Sequence, residues 1–196
     1  DLVLRLHRHM RERRQRYRIV FIPDPVVWTE APEDLGTLRR QRNRWHRGLL
    51  QCLSHQRRMI GRPSYGPLGL LALPYNLLFE AIGPLVEVAG YVSLVFALAL
   101  GVVDGRFAIL FFLMAVGYGV LLSIGSILLD YGTGRVRETR EIVRLLLYTV
   151  VENLGYRQLL AVWRVYATVD FLKRKNDWGE MQRKGFATVG ESGNGQ

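Results

Sequence analysis

Residues 107–129, FAILFFLMAVGYGVLLSIGSILL, run without a single charged side chain. A helix rising about 1.5 Å per residue over that length covers the roughly 30 Å hydrocarbon core of a bilayer. The stretch therefore predicts a membrane-spanning helix, and the rest of the chain must be arranged around it. The charges agree: residues 1–62 hold 15 Lys and Arg against 6 acids, 63–134 hold 1 against 4, and 135–196 hold 11 against 7. Arg106 is the only base between Arg62 and Arg135. Residues 68–103 are apolar except for Glu80 and Glu87, but Pro74, Gly83 and Pro84 interrupt them. This predicts a half-embedded segment at about 66–82 and a second span at about 84–103, joined to the first by a tight link, Val103 to Arg106, in which Asp104 and Gly105 supply the turn. Basic flanks stay on the cytoplasmic side. Two spans place both flanks there, and three would not.

Residues 141–169 are apolar too, but Arg144, Glu152, Arg157 and Arg164 recur through them. They read as an interfacial or re-entrant pair of helices broken near Gly155. Near the start, Leu2, Leu4, Leu6 and Met10 among basic residues predict a helix packed on one face. Tyr17–Ile22 and Val26–Thr29 are short β-type runs separated by Pro23-Asp24-Pro25, and Pro32-Glu33-Asp34 opens the next helix. The polar, Gly-rich end is expected to be disordered. With 49% hydrophobic residues and a net charge of +10, the composition excludes a disordered tail as the whole chain. One cysteine, Cys52, excludes a disulfide-stapled module, and no His or Cys spacing suits a metal. The opening residues carry no initiator Met and no signal-peptide pattern, so the chain is expected to start inside a longer protein.

Chemistry is concentrated in Leu38-Arg-Arg-Gln41-Arg-Asn-Arg44-Trp45-His-Arg-Gly48. On a helix Gln41, Arg44 and Trp45 fall at i, i+3 and i+4 and share a face. A guanidinium clamps a diphosphate through paired charge-assisted bonds, and an indole is a plate for the C–H face of a sugar. The plainer reading of an Arg-rich helix with one Trp is a membrane-surface anchor, with Leu35, Leu38, Leu49 and Leu53 at the headgroup boundary. His7, His46 and His55 read as surface or headgroup contacts, and Cys52 as a small buried apolar residue. Glu80 and Glu87, seven apart, share a helical face and are either functional intramembrane acids or partners of Arg58 or Arg62. Gly119 and Ser123 read as positions of close helix packing.

Gln41-Arg-Asn-Arg44-Trp45 resembles the QxxRW motif of processive family 2 glycosyltransferases, the group of cellulose, chitin, hyaluronan and poly-N-acetylglucosamine synthases. The resemblance extends to Trp28-Thr-Glu-Ala-Pro-Glu33, similar to the loop before that motif, to Asp1–Arg8, similar to the helix after the Glu-Asp catalytic motif, and to Trp178–Phe186. It implies that Trp45 stacks on the terminal sugar, Arg44 contacts the nucleotide diphosphate and Gln41 helps hold donor or acceptor. The general base is expected about two residues before Asp1, and the Mg²⁺ or Mn²⁺ ligands further upstream. Residues 1–196 by themselves are then expected to be inactive.

The architecture so implied is mainly α and integral to the membrane: the end of a cytosolic GT-A α/β domain (1–34), an interfacial helix (35–62), a membrane region with its hairpin (63–134), cytoplasmic or interfacial amphipathic helices (135–186) and a disordered tail (187–196). The implied reaction is inverting transfer from a nucleotide sugar, expected to be a UDP-sugar, to a growing polysaccharide that is translocated across the plasma or inner membrane, where lipids are the other partner. A non-processive transferase that glycosylates a lipid once, and a basic lipid-binding scaffold without catalysis, are the alternatives. Nucleic acid is not expected as a partner, since the bases are tied to a bilayer-length span and no recognised module surrounds them.

Overall fold

A computed structural model describes residues 1–20, 31–132 and 139–174 of the chain. The described residues are almost entirely helical. Helix α1 spans Leu2–Glu12 and α2 spans Leu35–His55. A long apolar helix, α3, runs Leu68–Ala99, followed by α4 at Gly105–Gly132, α5 at Thr139–Val151 and α6 at Arg157–Leu172. Two short 3₁₀ turns, Arg57–Met59 and Pro63–Tyr65, connect α2 to α3.

Helix α2 starts where its sequence supplies a cap. Asp34 is extended, and its carboxylate accepts from the Thr37 backbone N–H at 2.8 Å and the Thr37 hydroxyl at 2.7 Å. Those bonds satisfy an orphan donor of the first turn and hold the Asp34 carboxyl below its ordinary range. The helix expected to open at Pro32-Glu33-Asp34 thus begins at Leu35, with Asp34 as its cap.

The helix continues through Pro74 and Pro84 without a gap, and it changes from π-helical turns to regular α-helix between Ile82 and Gly83, near the boundary expected between a segment at about 66–82 and a span at about 84–103. Proline removes a backbone donor and crowds the preceding turn. Here the turns widen to π geometry over Leu68–Ala72 and Asn76–Ile82, flanking the α-helical Leu73–Tyr75, which re-routes the ladder around the missing donors. The Gly69 carbonyl, five residues before Pro74, accepts instead from the Gly61 backbone N–H at 2.8 Å, and the side chain of Asn76 adds a bond to the Ala72 carbonyl at 2.7 Å. The first apolar helix also ends at Ala99, before the expected boundary at 103. Gly101 takes a φ of +68°, a left-handed conformation that costs glycine least, and Gly105 opens α4 instead of making the turn.

Helices α3 and α4 are both long and apolar enough to cross a membrane. Phe107, Ile109, Leu110, Phe111, Leu113 and Met114 are all exposed around α4. Apolar exposure over most of a helix suits lipid contact and is penalised in water.

The β-type run expected at Tyr17–Ile22 has no strand over Tyr17–Val20, the part of it that is described. Tyr17 instead meets α1: its hydroxyl lies 2.6 Å from His7 Nδ1 and accepts from Arg11 Nε at 3.2 Å. No strand occurs among the described residues, which over 1–20 comprise helix α1 and a segment without regular structure. Val26–Thr29, Trp178–Phe186 and the tail at 187–196 lie outside the described residues.

The buried core sits where α1, the end of α2, the 3₁₀ turns and the start of α3 converge: Leu53, Met59, Tyr65, Leu73 and Ala81, with Leu4, Leu49 and Leu50 against them. Leu49 and Leu53 therefore face protein, a correction to their expected place at the headgroup boundary. Leu35 is exposed. Gly69 is required there, since a Cβ at that position would lie 2.6 Å from the Arg62 carbonyl oxygen and 2.7 Å from that of Met59.

Candidate functional site on helix α2

Helix α2 carries two sets of side chains on opposite faces. One face packs along α6: Asn43 Nδ2 donates to Asp170 Oδ2 at 2.9 Å, His46 Nε2 lies 3.0 Å from Thr168 Oγ1, and the Arg39 guanidinium sits over the Tyr166 ring at 5.8 Å. At 3.6 residues per turn, Gln41, Trp45, Gly48 and Cys52 line the reverse side, with Arg44 on its flank. Among the described residues a Cβ at Gly48 would meet nothing within 4 Å, so that side is open with respect to them. Trp45 is 59% exposed and is stacked by Arg42, whose guanidinium carbon lies 4.7 Å from the ring centroid. Gln41 and Arg44 are half-buried. The three residues picked out from the sequence are thus gathered on the open face, offering an amide, a guanidinium and an aromatic plate. Farther along the same face, Cys52 Sγ lies 3.7 Å from Asp1 Oδ1. Cys52 is half-buried at this contact, short of the full burial expected for it.

His46 departs from the surface role expected for it. It is 5% exposed, and burial first, then the positive charge of Arg164, lowers its pKa to about 4. It is therefore neutral at pH 7. The Thr168 hydroxyl donates its only proton to the Arg164 carbonyl at 3.0 Å, so its oxygen accepts from His46, which fixes the Nε2–H tautomer. Because the unfolded imidazole takes up a proton near 6.5 and the folded one only near 4, stability is full above the unfolded value and falls as pH drops through that window. The full span corresponds to roughly 3 kcal/mol. Thermal unfolding midpoints between pH 7 and 4 are expected to fall more steeply for the wild type than for His46→Gln, which keeps a donor without a titrating base. Equal slopes would contradict this role.

A second feature is a cleft of about 1010 Å³ lined by α3, α4, the break between α5 and α6, and α6 itself. The break falls where the sequence places it: Gly155 has a φ of +148°. Glu80 and Glu87 line the cleft and pair with α6, Glu80 with Arg164 at 3.5 Å and Glu87 with Arg157 at 3.8 Å. Neither pairs with Arg58 or Arg62 as expected. Tyr91 donates to Glu87 at 2.6 Å. Gly119 lets α4 approach the buried Asn153, whose side chain would collide with a Cβ there. Their register was not legible in the sequence, because α6 had no fixed position from which to pair.

The family model described as glycosyl transferase family group 2 matches residues 2–122, well over half of the chain. The chain belongs to this family. No curated protein and no solved structure matches it. As a member of glycosyl transferase family group 2, the chain serves transfer of a sugar from a donor to an acceptor. The matched region contains α1, α2, α3 and most of α4, so the open face of α2 lies inside it and α5 and α6 lie beyond it. Among the described residues no three His, Cys, Asp or Glu side chains cluster to hold a metal ion. The divalent cation implied by the QxxRW resemblance has no donor set among them.

Proposed function

We propose that the chain is the acceptor-side and membrane portion of a processive glycosyltransferase that extends a polysaccharide from a nucleotide sugar, with a UDP-sugar as the donor class. The observation that carries this reading is the open face of α2. Trp45 offers a plate for the terminal sugar, Arg44 a fork for the departing diphosphate and Gln41 a hydrogen-bonding amide, all turned away from the α6 contact. Asp1 adjoins the same face at Cys52, which supports the expectation that the catalytic carboxylate enters from just before it. The acceptor hydroxyl attacks the anomeric carbon in line, its proton passes to that carboxylate, and the nucleotide diphosphate departs, inverting the centre. Guanidinium groups aimed at developing negative charge stabilise such a step.

The two apolar helices form a membrane hairpin in this reading, with the basic flanks cytoplasmic, and the largely apolar cleft they line carries Glu80, Glu87, Asn153, Arg157 and Arg164 as hydrogen-bonding groups for a hydroxyl-rich chain. In a Cys52→Ser background, a cysteine at Val102 is expected to react with an impermeant thiol reagent added outside intact cells, and one at Arg62 is not. Labelling at 62 alone would invert the topology.

Product analysis tests the reaction itself. Membranes carrying the full-length protein and a labelled UDP-sugar should yield long polymer from the first turnovers, even with acceptor in excess. A lipid bearing a single labelled sugar would replace the processive reading with the non-processive one.

A further inference from the structure

Helix α6 lies beyond the family match, yet it touches both the helix that carries the substrate face and the helix that crosses the membrane. Its two contacts differ in kind. Toward α3, Arg164 meets Glu80 and Arg157 meets Glu87. Each pair of partners is seven residues apart in its own helix, and the order is reversed, so the two helices are antiparallel and matched over two turns, about 10 Å. Sliding α6 by one turn would break both pairs together. Toward α2, Asp170 receives the Asn43 amide and Thr168 receives His46. Asn43 and His46 are one turn apart, so two bonds to one strut fix both the rotation and the height of α2. The buried Ala161, Trp163 and Ala167 complete the packing of α6 between its neighbours.

We propose that α6 is a strut that sets the orientation of α2 against the membrane helix α3, with Thr168 and Asp170 as positioning residues and the Glu80–Arg164 pair as the fixed end. The inference rests on the reading that the open face of α2 binds substrate. A helix that turns or drops by a fraction of a turn keeps Gln41, Arg44 and Trp45 but no longer aims them at the reacting atoms. Misplacement on the order of 1 Å suffices to cost about 100-fold in rate.

The test is steady-state sugar transfer by full-length protein in membranes, with kcat and KM measured separately. Thr168→Val and Asp170→Ala are expected to lower kcat roughly 10- to 100-fold with a smaller change in donor KM and unchanged membrane insertion, while Thr168→Ser, which keeps the acceptor, restores the rate. Glu80→Arg and Arg164→Glu should each impair turnover, and the double reversal should recover most of it. Wild-type kcat in Thr168→Val and Asp170→Ala, or a double reversal no better than the worse single variant in monodisperse protein, would overturn the strut. If the double reversal is not monodisperse, the Thr168→Val and Thr168→Ser pair decides. Trp45→Ala separates the two ideas: full activity there sinks the substrate face itself, whereas loss there with normal Thr168 and Asp170 variants sinks only the strut.

Discussion

Replacing Trp45 by alanine is expected to cut sugar incorporation into polymer by roughly 10- to 100-fold and to leave the helix, its packing and its membrane insertion as they are. The asymmetry follows from where the indole stands. It is 59% exposed, on the side of α2 away from α6, and among the described residues its ring partner is the Arg42 guanidinium over one face. The core beneath α2 is made by Leu53, Met59 and Tyr65 with Leu49 and Leu50 against them, and none of these depends on Trp45. Truncation therefore opens no cavity, so the usual source of a large stability loss is missing. What is lost is a plate. Stacking of a planar ring on an aromatic side chain contributes on the order of 1 to 3 kcal/mol for nucleic-acid bases, and a sugar face is taken as comparable; about 1.4 kcal/mol is a factor of ten in rate. Trp45→Phe, which keeps a smaller plate, should fall between the two. Polymer yield equal to wild type in Trp45→Ala would leave α2 as a membrane-surface anchor.

The parts of this molecule that were legible in the sequence are those that depend on one helix at a time. The spacing of Gln41, Arg44 and Trp45 fixes their shared face whatever the helix packs on. The charge-free run at 107–129 requires a long apolar helix, and Gly155 marks a break because few other residues tolerate its backbone angle. Relations between helices were not legible. Nothing in the local pattern tells that His46 and Arg47 are buried while Trp45 beside them is exposed, since that depends on where α6 lies. Glu80 and Glu87 were recognisable as a pair, but their partners are 84 and 70 residues away in sequence, in register only once α6 runs antiparallel to α3. The prolines misled in a different way. Pro74 and Pro84 remove donors, which reads as a break, yet widened turns and the Gly61 N–H on the Gly69 carbonyl let the helix pass.

Arg44→Lys offers the sharpest separation of the substrate-binding face from a merely basic one. A guanidinium presents two parallel N–H groups to a diphosphate, and lysine keeps the charge but not the fork. Loss of a charge-assisted hydrogen bond of this type weakens the interaction by about 1.5 to 3 kcal/mol, again a factor of roughly 10 to 100 in rate. Attraction to anionic lipid headgroups, in contrast, treats lysine and arginine as equal point charges. The comparison must be made with an exposed arginine of the same helix. Arg40 is suitable, because it is exposed and its guanidinium donates to the Thr37 hydroxyl at 2.9 Å within its own helix. Arg47, which on spacing alone would tolerate lysine equally well, is unsuitable, being 4% exposed. The measurement is incorporation of labelled sugar from UDP-sugar donors by membranes carrying equal amounts of full-length wild type, Arg44→Lys and Arg40→Lys. Substrate binding at the open face of α2 predicts near-normal transfer for Arg40→Lys and a loss of at least about tenfold for Arg44→Lys; equal activity in all three would contradict it.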